Sequence, residues 1–143
     1  MLYGKILVAY DGSELSKKAL DYAAALAKSD SSIEIEVIAV AILPTAYTGY
    51  DYVPVGELLD AAMKQANESL EQAERALAEL PNRTETFLAR GYPAAAILEH
   101  AKAHGNDLII MGSRGLSGIK ELFLGSISHY VVQHSPIPVL IIK

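Results

Sequence analysis

The sequence contains no cysteine among its 143 residues. A chain without cysteine forms no disulfide, holds no thiolate-bound metal and uses no thiol in catalysis. This composition is typical of a reducing compartment. The first five residues also lack the basic start and apolar stretch of a signal peptide, so we expect a cytoplasmic protein.

Basic residues are scarce, with 12 Lys and Arg against 17 Asp and Glu, which gives a formal net charge of -5. Nucleic-acid partners are held by clustered Lys and Arg, and no such cluster occurs. No apolar run approaches the roughly 18 residues of a membrane span. With 51% hydrophobic residues, the chain is expected to fold as one domain over residues 1–143.

Three common nucleotide-binding or catalytic signatures are also missing. Neither G-x-x-x-x-G-K-[ST] nor G-x-G-x-x-G occurs, which disfavours a P-loop NTPase and a dinucleotide dehydrogenase. The segment Gly115-Leu116-Ser117-Gly118 does not fit G-x-S-x-G, so a serine hydrolase using His129 or His134 is disfavoured as well.

What the sequence does contain is a regular alternation of apolar runs with segments of helical periodicity. Strands are predicted at 6–10, 33–42, 85–89, 108–111 and 139–142. Helices are predicted after the N-cap residue Ser13, over 57–80, over 93–104 with a stop at Gly105, and from Ser126 onward. Five strands alternating with four main helices predict an α/β fold with a doubly wound parallel sheet.

The segment from Met111 to Ser126 carries the strongest functional signal. This glycine segment contains Gly112, Gly115, Gly118 and Gly125 and lies between a predicted strand and a predicted helix. Glycines there let a phosphate approach backbone N–H groups, and a helix N-terminus adds unpaired donors with partial positive charge. The alternative is that these glycines only punctuate turns and that Gly125 is a helix-packing contact.

We interpret Gly125 as a break before the last helix, because a glycine inside a helix costs about 0.5 to 1 kcal/mol relative to alanine. A short helical turn is expected before it. Ser126 is then predicted to cap the last helix.

The spacing Gly112-x-x-Gly115, nine residues, then Gly125-Ser126, together with Asp11-Gly12-Ser13, resembles the ATP-binding branch of the universal stress proteins. The resemblance covers essentially the whole chain. It implies a Rossmann-like sheet of order 3-2-1-4-5, which brings Asp11 opposite the Gly112 loop at the reversal of strand order. It also implies a homodimer formed through the strand at 139–142.

We therefore predict that the chain binds an adenine nucleotide. The resemblance places the base against Val40 and Ala9, where the family often has proline at the latter position. Contacts to the rest of the nucleotide are predicted from Gly112, Ser113, Arg114, Gly115, Leu116, Ser117, Gly118, Gly125, Ser126, Ile127 and Ser128.

Several of the predicted contacts have alternatives. Ser126 and Ser128 would otherwise only cap the last helix, and Val40 would be a core strand residue. Asp11 would repel a polyphosphate unless a cation lay between them, so it is predicted to bind Mg²⁺ or Mn²⁺; the alternative is a turn or cap that supports Gly12 and Ser13. Arg114 is predicted to donate two hydrogen bonds from its guanidinium group to phosphate oxygens; the alternative is that it is a solvated charge on a loop.

His100 and His104 lie four residues apart on one predicted helix, a spacing that suits a metal. The sequence supplies no third ligand beside them, and His104 before Gly105 is explained by the helix C-terminus. The connection over 43–56 holds Tyr47, Tyr50 and Tyr52 and is interpreted as a lid or contact surface.

These observations predict an ATP-binding protein that acts as a nucleotide-dependent sensor or as a module for an unknown protein partner. No catalytic base is evident, so any hydrolysis is expected to be slow. Two alternatives stay open: a slow ATP hydrolase or adenylyl-transferring enzyme, and a dimeric interaction protein that does not use the nucleotide.

Overall fold

The computed structural model describes residues 2–42, 55–115 and 124–143. Within these ranges strands and helices alternate. They are β1 (Lys5–Ala9), α1 (Glu14–Ala27), β2 (Glu34–Ile42), α2 (Val55–Leu77), β3 (Thr84–Gly91), α3 (Pro93–His104), β4 (Leu108–Gly112), α4 (Ser126–His134) and β5 (Val139–Ile142).

The five strands form one sheet in the order β3-β2-β1-β4-β5, and every pairing is parallel. This arrangement confirms the fold class and strand order expected above. The order reverses between β1 and β4, because β1 pairs with both β2 and β4. The carboxyl ends of β1 and β4 therefore open a crevice, which is where ligands bind in sheets of this kind.

Each face of the sheet is covered by one pair of helices. Side chains alternate along β2, so that Ile35 and Val37 join the core beneath α1 and α2. Ile38 and Val40 point the other way and pack with residues of α3 and α4. Burial on both faces explains why β1 and β4 are almost continuously apolar.

Several predicted ends are correct and others shift for identifiable reasons. Ser13 caps α1, with its side chain accepting a hydrogen bond from the Ser16 backbone, and Gly105 ends α3 in the left-handed conformation. Helix α2 ends at Leu77 instead of residue 80, because tighter turns follow and Pro81 comes next.

Strand β3 is longer than predicted, since it pairs with β2 from Thr84 to Gly91. Its first residues, Thr84 and Glu85, are polar and exposed. This is compatible with the position of β3 as the first strand in the sheet order, with β2 as its neighbour on one side. The connection predicted at 43–56, with its three tyrosines, lies largely outside the described residues. In the described ranges, no helix is both long enough and apolar enough to span a membrane.

Asn82 fixes the relative position of three chain segments at the amino-terminal edge of the sheet. It is buried, and its Nδ2 lies 2.9 Å from each of three carbonyl oxygens. Those carbonyls belong to the end of α1, the turn after it and the residue before β2: Ala27, Asp30 and Ile33. One side-chain amide thus connects the start of β3 to the α1–β2 turn.

We expect Asn82→Ala to lower the free energy of unfolding by about 2 kcal/mol, because three carbonyl oxygens each lose a donor, and only those of Ala27 and Asp30 keep a backbone hydrogen bond from the described residues. Urea unfolding followed by circular dichroism measures this change. The matched control is Asn67→Ala, which alters an exposed residue of α2 and should change stability by less than about 0.5 kcal/mol. Equal effects in the two variants would contradict the role assigned to Asn82.

Candidate functional site

A cavity of about 640 Å³ opens at the carboxyl ends of β1, β2 and β4. This is the crevice that the reversal of strand order creates. Its volume is within the range of small-molecule sites, roughly 300 to 1,000 Å³. Ten of the predicted site residues line it, namely Ala9, Asp11, Val40, Gly112, Arg114, Gly115, Gly125, Ser126, Ile127 and Ser128.

Four predicted residues are not among these ten. Ser113 is buried, and it is absent from the described cavity lining. The predictions for Leu116, Ser117 and Gly118, and for a short helical turn before Gly125, lie outside the described residues.

The turn after β1 carries Asp11 into the cavity. Its Oδ1 accepts a hydrogen bond from the Ser13 backbone N–H at 2.9 Å, which is the turn geometry considered as the alternative role. The other carboxylate oxygen faces Gly115: a Cβ placed on that glycine would collide with Asp11 Oδ2. The carboxylate therefore supports its own turn and also lies against the glycine segment.

The two ends of the glycine segment meet at one carbonyl group. Ser113 O accepts a hydrogen bond from Gly125 N at 2.6 Å and another from Ser128 Oγ at 2.7 Å. Ser113 N in turn donates to Ile142 O of β5 at 2.8 Å. The Ser128 hydroxyl, which sequence analysis directed toward an anion, thus uses its proton to hold α4 against the end of β4.

The start of α4 corrects one sequence prediction. Gly125, and not Ser126, is the N-cap: its backbone is extended and its carbonyl accepts the first helical hydrogen bond, from His129 N at 2.9 Å. Gly125 has no side chain to cap the helix. The first-turn residues Ser126 and Ile127 line the cavity, and the N–H groups of a first helical turn have no partner within the helix.

The opposite wall of the cavity is apolar. Ala9 and Val40, the two residues predicted there, are joined by Ile38, Ile97 and Met111. These side chains come from three strands and from α3. Together they form a recess suited to a flat apolar group.

Sequence reasoning missed the contribution of α2 to the cavity. Four of its residues line one side: Ala62, Gln65, Ala66 and Ser69. Its apolar residues recur at helical spacing, which predicts the helix but not the cavity, and Ala66 belongs both to the core and to the cavity lining. A signal was present, because α2 follows the long connection that leaves the carboxyl end of β2.

Tyr10 lines the cavity next to Asp11 in the sequence. Its hydroxyl donates to Gln72 Oε1 at 3.3 Å. Burial, followed by the negative charge of Asp11, raises the pKa of Tyr10 above its usual value. The phenol is therefore a neutral donor at physiological pH.

A second group of polar side chains lies away from the cavity lining. His100 and His104 meet Glu36 of β2, the third partner that the sequence did not reveal. Burial raises the pKa of Glu36, but hydrogen bonds from Asn106 and His100 and the charge of Lys5 outweigh it, so the net shift is downward. Burial lowers the pKa of His100, only partly offset by Glu36.

Comparison with known proteins agrees with this geometry. The family model described as the universal stress protein family matches residues 2–143. The chain belongs to the universal stress protein family. Universal stress protein YxiE of Bacillus subtilis is 43% identical over 149 residues, a match that covers 99% of this chain and 100% of the relative.

Two solved structures extend the comparison to three dimensions. Universal stress protein UspA from Lactobacillus plantarum superposes with a TM-score of 0.86 at 29% identity, covering 100% of this chain and 99% of that one. A universal stress protein in complex with cAMP superposes with a TM-score of 0.62 at 26% identity, covering 100% of this chain and 98% of that one.

Proposed function

We propose that this universal stress protein domain, residues 1–143, binds ATP as its magnesium complex and acts as a nucleotide-dependent sensor or partner-binding module. The observation that carries the proposal is the meeting of an uncapped helix N-terminus, a glycine segment and a carboxylate with an apolar recess in one cavity of about 640 Å³. The family member in complex with cAMP supports an adenine nucleotide as the class of ligand.

The phosphate groups would occupy the polar end of the cavity. Backbone N–H groups of Ser126 and Ile127 stand at the first turn of α4, where the helix dipole favours an anion. Arg114 is half-buried on the same wall and offers a guanidinium. Beside Gly115 the Asp11 carboxylate fills the space that a side chain would take, so a phosphate near this glycine would need a cation between it and Asp11.

The adenine base would occupy the apolar end. Val40 and Ala9 lie there with Ile38 and Met111, and none of these side chains brings a charge. Alanine at position 9, where the family often has proline, leaves the recess slightly wider. An apolar slot of this kind accepts the purine of ATP, ADP or AMP, so the phosphate end would set the preference among them.

The metal would be held on the Asp11 side. Magnesium and manganese prefer oxygen ligands, and the Asp11 carboxylate stands in the cavity. A carboxylate oxygen suits a hard cation, whereas the hydroxyls of Ser13 and Ser16 are engaged in the cap of α1. A bound ion would neutralise charge between the carboxylate and the polyphosphate, and Asp11 would orient it.

A sensor is favoured over an enzyme by the composition of the lining. Asp11 is the only carboxylate among the described lining residues, which include no histidine and no lysine. Its Oδ1 already supports the turn to Ser13. Without a further base to position water, hydrolysis would be slow, and nucleotide binding would act by biasing a surface that a partner reads.

A homodimer through β5 belongs to the same proposal, as does the cytoplasmic location expected from the sequence. Strand β5 is the last of the sheet and pairs only with β4 among the described strands. Its apolar sequence from Val139 to Ile142 makes an edge that a two-fold partner would cover.

Sedimentation velocity should report twice the 15.4 kDa chain mass, and a monomer at micromolar concentration would refute the dimer.

The first test is calorimetric titration of nucleotide-stripped protein with MgATP, comparing wild type with Gly115→Asp. We expect micromolar affinity in the wild type and at least a tenfold loss in the variant, because the new carboxylate enters the space of Asp11 and repels phosphate. Phosphate release measured on the same samples should be slow.

The matched control is Gly56→Asp, which adds the same charge on α2, where a Cβ meets no atom of the described residues within 4 Å. It should bind MgATP like the wild type. Circular dichroism confirms that both variants fold. Absence of heat and of thermal protection in the wild type would overturn the nucleotide proposal, whereas sustained ATP turnover lost in Gly115→Asp would favour the enzyme alternative.

The role of Asp11 is tested by Asp11→Asn, which keeps an oxygen to accept from Ser13 N but removes the charge. We expect MgATP affinity to fall about tenfold and affinity for metal-free ATP to stay equal or rise, because the repulsion is gone. Calorimetry with MgCl₂ and with EDTA gives the two constants. An unchanged ratio between them would show that Asp11 does not handle the metal.

A further inference from the structure

Three potential metal ligands converge between β2 and the carboxyl end of α3. Glu36 Oε1 lies 3.0 Å from His100 Nε2, and Glu36 Oε2 lies 3.3 Å from His104 Nδ1. One atom from each residue can be chosen so that all three lie within 4.8 Å of one another. These residues are distinct from the cavity lining described above.

The group is held in place by its surroundings. The two imidazole rings are stacked with centroids 3.9 Å apart and planes within 9° of parallel, and Phe87 meets both rings edge-on. Asn106 Nδ2 donates to Glu36 Oε1 at 3.0 Å and orients the carboxylate. Glu36 is only 3% exposed, so its geometry is set by packing and not by solvent.

We propose that Glu36, His100 and His104 form a binding site for a divalent transition-metal ion of the zinc class. Two imidazole nitrogens and one carboxylate oxygen are a ligand set that Zn²⁺ accepts, with a water completing the coordination. Calcium and magnesium prefer oxygen ligands and are not expected to compete.

The distances favour this class of ion. Zinc binds nitrogen and oxygen at about 2.0 to 2.2 Å, which places neighbouring ligands of a tetrahedral ion about 3.3 to 3.5 Å apart. The two carboxylate–imidazole contacts, 3.0 and 3.3 Å, are close to that spacing, each through a different oxygen of Glu36. Because the stacked rings lie in nearly parallel planes, the imidazoles must turn before both nitrogens point at one ion. His104 is 36% exposed in its side chain, which gives an ion and its water a route from solvent.

Lys5 is the competing cation. Its Nζ lies 3.4 Å from Glu36 Oε2 and donates to His104 O at 2.9 Å. A metal ion on the same carboxylate would be repelled by this ammonium group, although the side chain is 27% exposed and can turn toward solvent. Lys5 therefore lowers the affinity of the site without blocking it.

The test uses tag-free, metal-stripped protein titrated with Zn²⁺ against a chromophoric chelator. We expect one ion per chain with a dissociation constant of about 1 µM or below, and at least a tenfold loss of affinity in His104→Gln and in His100→Gln. Visible absorption of the Co²⁺-loaded protein should report nitrogen and oxygen ligands in the wild type only. His104→Gln changes a partly exposed side chain and is the variant least prone to unfold.

The matched control is the double variant His129→Gln/His134→Gln, which removes the two remaining histidines of the chain and leaves the cluster intact. It should bind zinc like the wild type, while Lys5→Met should bind several-fold more tightly. Zinc should also raise the melting temperature of the wild type and of the control, but not that of His104→Gln. Failure to bind zinc, or equal affinity in His104→Gln and the wild type, would overturn the proposal.

Discussion

The carbonyl oxygen of Ser113 is the point on which the cavity depends. It accepts hydrogen bonds from Gly125 N and Ser128 Oγ, and these two bonds fix where α4 begins relative to the end of β4. Ser113 N is itself paired with Ile142 of β5, so the sheet extends by one hydrogen bond beyond the last paired residues of β4. The sheet thus fixes the position of α4 through Ser113. As a result, the N-terminus of α4 lies beside the carboxyl end of β1.

Close backbone approach explains why glycine occupies two positions of this region. A Cβ on Gly112 would lie 2.7 Å from Leu15 Cβ and 3.3 Å from the Leu15 backbone, so α1 would be forced away from β4. At Gly115 the neighbour is the Asp11 carboxylate. The two interpretations of these glycines are therefore compatible: the same lack of side chains that lets α1 pack on β4 also brings a carboxylate next to a candidate phosphate site.

Much of the fold was predictable because its signals are local. Residues close together in sequence determine the buried runs of β1 and β4, the helical spacing of the apolar residues in α2, and the caps Ser13 and Gly105.

The cavity was predictable only in part. The contribution of α2 to the cavity was not predicted from the sequence, because a small residue such as Ala66 both packs into the core and lines the cavity. The N-cap at Gly125 was missed because Ser126 has the stronger capping preference, whereas the bond from Gly125 N to Ser113 selects the actual start.

The cluster around Glu36 could not be assembled from sequence, since Glu36 and His100 are 64 residues apart. The available signal was a glutamate within an apolar strand, which needs partners once it is buried. Stability by itself gives little reason for that arrangement. Replacing a buried ionic group by well-packed apolar residues is often neutral or stabilising. The amide of Asn106 and the ammonium group of Lys5 serve as partners of the buried carboxylate, whereas the carboxylate and the two imidazoles are the groups that a divalent metal ion would use.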